Sequence, residues 1–116
     1  MQDYRDLAKL KNAYILKNQE LTTELKQYPV FAEEMAQAER KYLVAKSSAI
    51  LDLKEQGQSV TLIPTISKGM TADERFKFKV AESLFHACRE KVKAIHANLD
   101  SYRSLLSTMK AEMEIR

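Results

Sequence analysis

Residues 71–116 read TADERFKFKVAESLFHACREKVKAIHANLDSYRSLLSTMKAEMEIR, and this stretch decides the fold. Apolar side chains recur in it at every seventh position, and a second apolar side chain follows most of them three residues later. The first set is Phe78, Phe85, Val92, Leu99, Leu106 and Met113, and the second is Ala81, Cys88, Ile95, Tyr102 and Met109. This a/d repeat contains no Gly or Pro and predicts one long coiled-coil-like helix over about residues 72–114. Thr71 and Glu74 have the spacing of a capping box at its start.

The apolar seam of this helix needs partner helices along its whole length. At about 1.5 Å per residue the helix spans roughly 60 Å, more than a helix of about 25 residues can cover. We therefore expect the C-terminal helix to self-associate, most of all from about Leu99 to Met113. The residues predicted to carry this oligomerisation are Phe85, Val92, Ile95, Leu99, Tyr102, Leu106 and Met109.

The N-terminal half is predicted to form two helices that meet at a proline. Helix 1 covers about residues 3–27 and stops before Pro29, because a residue that precedes proline is biased away from helical geometry. Helix 2 covers about residues 31–56 and has apolar or small side chains at alternating intervals of four and three, which form one face. It ends at Gly57, a residue type common just past a helix C-terminus.

Residues 57–71, GQSVTLIPTISKGMT, connect helix 2 to the long helix. Val60, Leu62, Ile63, Ile66 and Met70 make this segment too apolar for a flexible linker. We expect an ordered extended connection that packs over the helices or takes part in a subunit contact. The whole chain, residues 1–116, is then a single all-α domain in an oligomeric helical bundle. Whether helices 1 and 2 pack on their own long helix or on a neighbour's is left open by the sequence.

Composition indicates a folded, highly charged helical protein, with 45% hydrophobic and 30% charged residues. The net charge is +3, and the excess lies in residues 57–116, which hold ten basic and seven acidic side chains. No apolar run approaches the roughly 20 residues that span a bilayer, so we expect no membrane partner and a cytoplasmic location. Cys88 is the single cysteine and is expected to be a small buried residue.

Catalytic signatures are missing from the sequence. His86 and His96 lie ten residues apart, about 15 Å along a helix, and both fall outside the a/d positions. The sequence contains no Gly-rich phosphate loop, no CxxC and no HExxH or GxSxG motif. We therefore expect a protein that is not an enzyme and has no cofactor or metal.

One cluster of basic and aromatic residues suggests a site that binds nucleic acid. Residues 75–79, RFKFK, alternate basic and aromatic side chains near the start of the long helix, and other basic residues lie on both sides of them. Single-stranded nucleic acid is commonly held by cations on its phosphates and aromatic faces under its bases. The alternative is a core role for the phenylalanines and an ordinary solvated face for the charges. The candidate nucleic-acid-binding residues here are Lys68, Arg75, Lys77, Lys79, Arg89 and Lys93.

The order of parts resembles the phage recombination mediators of the UvsY type and small recombination-accessory proteins of phages from Gram-positive hosts. Three segments carry the resemblance: residues 46–57 (KSSAILDLKEQG), residues 69–75 (GMTADER) and residues 99–110 (LDSYRSLLSTMK). It implies an oligomer that binds single-stranded DNA and helps a recombinase displace single-strand-binding protein. It also implies that Lys46 and Lys54 contact DNA, although Asp52 and Glu55 lie among them, which departs from the family's pattern.

Two functions are therefore open. The first is an oligomeric single-stranded-DNA-binding accessory protein that assists recombinase loading in phage homologous recombination. The second is a helical protein–protein interaction module, either an assembly adaptor or an inhibitor of a host enzyme, that binds no nucleic acid.

Overall fold

A computed structural model describes residues 4–115 of the chain, except for the side chain of Ile115. Three helices follow one another within that range: α1 covers Tyr4–Glu55, α2 covers Ile63–Met70 and α3 covers Ala72–Ile115. The described residues form no β-strand. The all-α class and the long C-terminal helix are confirmed. Asp3, where helix 1 was predicted to begin, lies outside the described residues.

The predicted break between helices 1 and 2 is wrong, because α1 continues through Pro29. The sequence contains the reason for this continuity. Residues at every seventh position, from Leu7 to Ala49, lie on the same face of one continuous helix, with no change of spacing at the proline. Pro29 itself is exposed, so its ring points to solvent, and the carbonyl of Leu25 that loses its helical donor can bond to water. The series in constant phase is Leu7, Tyr14, Leu21, Tyr28, Met35, Tyr42 and Ala49.

The C-terminus of α1 is closed by Gly57, as the sequence predicts. Gly57 has φ +77°, which glycine adopts without strain from a side chain. Its amide donates to the carbonyl of Lys54 at 3.1 Å, and the amide of Gln58 donates to that of Leu53 at 3.0 Å. These two bonds form a Schellman motif, which satisfies carbonyls at the helix end.

The connection after Gly57 is not extended throughout, because residues 63–70 form α2. Pro64 lies in the first turn, where its missing N–H costs no helical hydrogen bond. Ile63, Ile66 and Ser67 have the spacing of one helical face, and Ile63 and Ser67 are buried. The expectation that apolar residues here avoid water also fails within one chain, since Val60 is 83% exposed.

Thr71 separates α2 from α3 without forming the predicted capping box. Its hydroxyl donates backwards to the carbonyl of Ser67 at 2.8 Å. Its own carbonyl accepts from the amide of Arg75 at 3.0 Å, which begins the hydrogen-bond ladder of α3. Thr71 is 3% exposed, so the hydroxyl takes a nearby carbonyl inside the protein.

The chain forms two compact units. Among the described residues, unit 1 contains residues 4–28 and 88–115, and unit 2 contains residues 29–87. In unit 1 the first part of α1 and the last part of α3 form an antiparallel pair, because Glu24 contacts Lys91 while Tyr14 contacts Arg103. Unit 2 combines the second part of α1, α2 and the start of α3.

Burial in unit 1 alters the argument for self-association. Ile95 is 2% exposed, Leu99 is 1% exposed and Met109 is 6% exposed in a single chain. The premise that one copy cannot cover this seam is wrong, because α1 has 52 residues instead of about 25. The predicted oligomerisation residues therefore belong to an intramolecular seam: Val92, Tyr102 and Leu106 are half-buried in unit 1, and Phe85 is half-buried in unit 2.

The core of unit 2 is smaller. Ala49 and Leu53 of α1 are buried, as is Ile63 of α2. The rings of Tyr42 and Phe78 stack with their centroids 6.1 Å apart and an interplanar angle of 20°. Phe78 is thus a half-buried packing residue, in agreement with the core interpretation of this phenylalanine.

Candidate functional site

Basic side chains surround the stacked rings of Tyr42 and Phe78 in unit 2. The ammonium nitrogen of Lys46 lies 6.0 Å from the centroid of the Tyr42 ring. That of Lys79 lies 5.6 Å from the centroid of the Phe78 ring. These distances are within the range of cation–π attraction, so the ring pair helps to hold both lysines near the same part of the surface.

A cavity of about 330 Å³ adjoins the Tyr42 ring. Lys46 lines it from α1 and Lys68 lines it from α2, so two basic residues from different helices border one space. Its remaining lining is mostly apolar. Such a space is at the lower end of the size range of small-ligand sites, roughly 300–1,000 Å³. The other lining residues are Tyr42, Ile50, Ile63, Pro64, Ser67 and Thr71.

The hydroxyl groups of Ser67 and Thr71 at this cavity are already committed as donors. Ser67 donates to the carbonyl of Pro64 at 3.1 Å, and Thr71 donates to that of Ser67. An anion in the cavity would therefore be held by the ammonium groups of Lys46 and Lys68, with the Tyr42 hydroxyl as a further donor. Cations on an apolar lining attract an anion more strongly than cations in open water do.

Acidic side chains neutralise little of this charge. Lys79 forms a long ion pair with Glu82, 3.5 Å between nitrogen and oxygen. Within residues 4–115, Lys46, Lys68 and Arg75 form no ion pair, and Arg75 lies one helical turn before Lys79. We call Lys46, Lys68, Arg75 and Lys79 the basic cluster. Its net charge is positive, because Glu82 is the one carboxylate in the described part of the chain that pairs with these four cations, and it contacts Lys79 alone.

Four of the predicted nucleic-acid-binding residues lie outside the basic cluster. Lys77 lines a different groove of unit 2, and Lys54 is exposed near the end of α1. Arg89 and Lys93 belong to unit 1, where both contact Glu90, at 3.8 Å and 3.5 Å. That shared carboxylate reduces the charge these two residues offer to a phosphate.

Unit 1 contains a buried charged group that the sequence did not lead us to predict. Glu24 is 9% exposed, and its Oε1 lies 2.8 Å from Nζ of Lys91. The thiol of Cys88 lies 3.8 Å from Oε2 of the same carboxylate. Glu24 lies at intervals of seven from Leu10, Lys17 and Phe31, on the face of α1 that packs against α3. A charged residue at such a position was the sequence signal that could have revealed this site.

These contacts shift two pKa values upwards. Burial raises the pKa of the Cys88 thiol above 9.0, and the neighbouring Glu24 carboxylate adds to the effect. The hydrogen bond to Glu24 raises the pKa of Lys91 above 10.5. The thiol is therefore held in its neutral, less nucleophilic form.

A second polar contact lies further along the helix pair of unit 1. Nε of Arg103 donates to the hydroxyl of Tyr14 at 3.1 Å, and its NH1 donates to Asp100 at 2.9 Å. The bond from Arg103 lowers the pKa of the Tyr14 hydroxyl below 10.0. His86 and His96 are exposed, as the sequence predicts.

Two negative findings apply to the described part of the chain. Residues 4–115 bring no three His, Cys, Asp or Glu side chains together in a way that could hold a metal ion. None of the helices in this range combines the length and apolar character that a membrane span requires.

Comparison of the chain with protein-family models, curated protein sequences and solved structures finds no match.

Proposed function

We propose that this chain is an accessory protein that binds single-stranded DNA through the basic cluster of unit 2. The observation that carries the proposal is the placement of Lys46 and Lys68, which come from two different helices, at one cavity beside an aromatic ring. Lys79 extends the positive surface across the Phe78 ring. A flexible phosphate backbone can contact several such cations in succession.

The aromatic rings have a different role here from that in open base-stacking surfaces. Tyr42 and Phe78 stack on each other and are half-buried, so they hold the lysines in position. Affinity would then come mainly from phosphate contacts and be independent of base sequence. Such binding weakens steeply as salt rises.

We also propose a biological setting for this DNA binding. The resemblance of residues 46–57, 69–75 and 99–110 to phage recombination mediators of the UvsY type supports a role beside a recombinase and a single-strand-binding protein. In that role the chain would hold the DNA strand while one protein replaces the other.

Fluorescence anisotropy of a labelled DNA single strand at several salt concentrations tests the proposal. The test variant is Lys46→Ala/Lys68→Ala. The matched control is Lys11→Ala/Lys26→Ala, which removes the same charge from exposed positions of α1 in unit 1. We expect the slope of log affinity against log salt to become shallower by about 1.4 in the test variant, because each phosphate contact on a single strand contributes about 0.7.

The control variant should keep nearly the full slope. Absence of binding by the natural chain at low salt would refute the proposal. So would an equal loss in both variants, because it would show that net charge and not the basic cluster determines binding.

A helical protein–protein interaction module is the second candidate. Phe76 is 68% exposed, and Val80 and Leu84 follow it at intervals of four as an exposed apolar stripe on α3. Contiguous exposed apolar side chains commonly mark contact surfaces for other proteins. A chain that shows no DNA binding in the titration above would favour this function.

A further inference from the structure

A second surface of unit 2 lies on a different side of α1 from the basic cluster. Val30, Gln37 and Val44 recur there at intervals of seven, so they share one face of the helix. Val30 is 52% exposed and Val44 is 61% exposed. We call this surface the Val30–Val44 face. Two large apolar groups therefore face water two heptads apart.

An open groove of about 1170 Å³ runs beside the Val30–Val44 face. Its lining includes Ala38, Ala45 and Ser48, whose small side chains let a second helix approach the backbone of α1 closely. Lys77 of α3 also lines the groove. The space has the form that an added helix requires, with apolar or small residues at the centre and charged residues at the edges.

Charges on the two edges of the Val30–Val44 face are ordered along the helix. Glu33 and Glu34 come first, and Arg40 and Lys41 follow one heptad later. A spacing of seven is about 10.5 Å along the axis, too far for the usual i,i+4 pairs within one helix. Within residues 4–115, none of these four side chains forms an ion pair. Two anions and two cations thus remain open to a partner.

The charge pattern of this segment is complementary to that of a second copy that runs in the opposite direction. In an antiparallel pair of α1 segments centred on Gln37, Val30 lies opposite Val44 of the second copy. On one edge Glu33 meets Arg40 of the second copy, and on the other Glu34 meets Lys41. Two-fold symmetry repeats each contact, so the pair contains four ion pairs.

A parallel pair in register gives the opposite result. It would place Glu34 beside Glu33 of the second copy and Lys41 beside Arg40, and every such contact would join like charges. Like charges at these edges select against an arrangement as effectively as unlike charges select for one. The charge order therefore specifies direction as well as association.

We infer that unit 2 forms an antiparallel homodimer through the Val30–Val44 face of α1, with Gln37 at the two-fold axis. The occupant of the groove is the same segment of a second copy of this chain. The inference stands independently of the DNA-binding proposal, and its test contains no nucleic acid.

Sedimentation equilibrium of the full chain provides the test, with three proteins compared at matched concentrations. The natural chain should be dimeric. Glu33→Lys/Glu34→Lys turns the four ion pairs into like-charge contacts and should raise the dimer dissociation constant at least about tenfold. Adding Arg40→Glu/Lys41→Glu to that variant restores opposite charges in the antiparallel pair and should restore the dimer.

All four substituted residues are exposed, so far-ultraviolet circular dichroism should show the same helix content in all three proteins. A monomeric natural chain would overturn the inference. So would a dimer that the double variant leaves intact, because its interface would lie elsewhere. Failure of the quadruple variant to recover the dimer would overturn the antiparallel pairing.

Discussion

Replacement of Pro29 by alanine provides a direct test of the continuous α1 helix. Proline inside a helix is about 3 kcal/mol less favourable than alanine, because it lacks the N–H and its ring crowds the preceding turn. Pro29 is exposed, so the substitution removes no core packing and leaves no cavity. We therefore expect Pro29→Ala to raise the free energy of unfolding by about 2–3 kcal/mol.

The sign of the change in the free energy of unfolding distinguishes a continuous α1 from a chain that turns sharply at Pro29. If the chain instead turned sharply at Pro29, alanine would loosen the turn and lower the free energy of unfolding by about 0.4–1 kcal/mol. Urea denaturation followed by circular dichroism measures the difference. Gln27→Ala is the matched control at an exposed position of the same helix, and it should stay within about 0.5 kcal/mol of the natural chain. Destabilisation by Pro29→Ala would refute the continuous helix.

Two further predictions concern unit 1. The side chain of Leu99 is 1% exposed, so Leu99→Ala should lower the free energy of unfolding by about 3–4 kcal/mol in urea denaturation. Leu105 is 52% exposed, and Leu105→Ala should lower it by less than about 1 kcal/mol. Similar losses in both variants would refute the seam in unit 1. In the pH range that begins near 9.0 and extends upwards, the free energy of unfolding of the natural chain should fall relative to Cys88→Ala, because the folded thiol has a raised pKa and keeps its proton while the unfolded thiol loses it. Parallel stability curves for the two proteins across this pH window would contradict the burial of Cys88 beside Glu24.

The sequence predicts α3 well because one physical signal governs it. Every a/d residue from Phe78 to Met113 is buried or half-buried. A long unbroken repeat leaves little choice of structure. The N-terminal half carried two signals that disagreed, a proline and a seven-residue series in constant phase. Local proline chemistry favoured a break, but the seam spans many residues and its burial outweighs one missing hydrogen bond.

The candidate site was harder to predict than the fold. Lys46 and Lys68 are 22 positions apart in sequence and come together only because α2 packs near Tyr42 of α1. Residues 57–71 were expected to be extended, and an extended segment gives Lys68 no defined position relative to α1. The alternating pattern of residues 75–79 was also misleading, since alternate residues of a helix lie on different faces. Lys77 accordingly lines the groove beside the Val30–Val44 face, away from Lys79.

The buried carboxylate of Glu24 has a consequence for how the chain finds its pairing while it folds. Two long helices with seven-residue repeats can slide by one heptad and still match most apolar positions. Such a slip in unit 1 would move Glu24 away from Lys91 to a place opposite Leu84 or Asn98, neither of which carries a positive charge. An unpaired buried charge costs several kcal/mol, a penalty of the size that separates a folded domain from an unfolded one. The ion pair between Glu24 and Lys91 therefore favours the observed register of the two helices over registers that are shifted by one heptad.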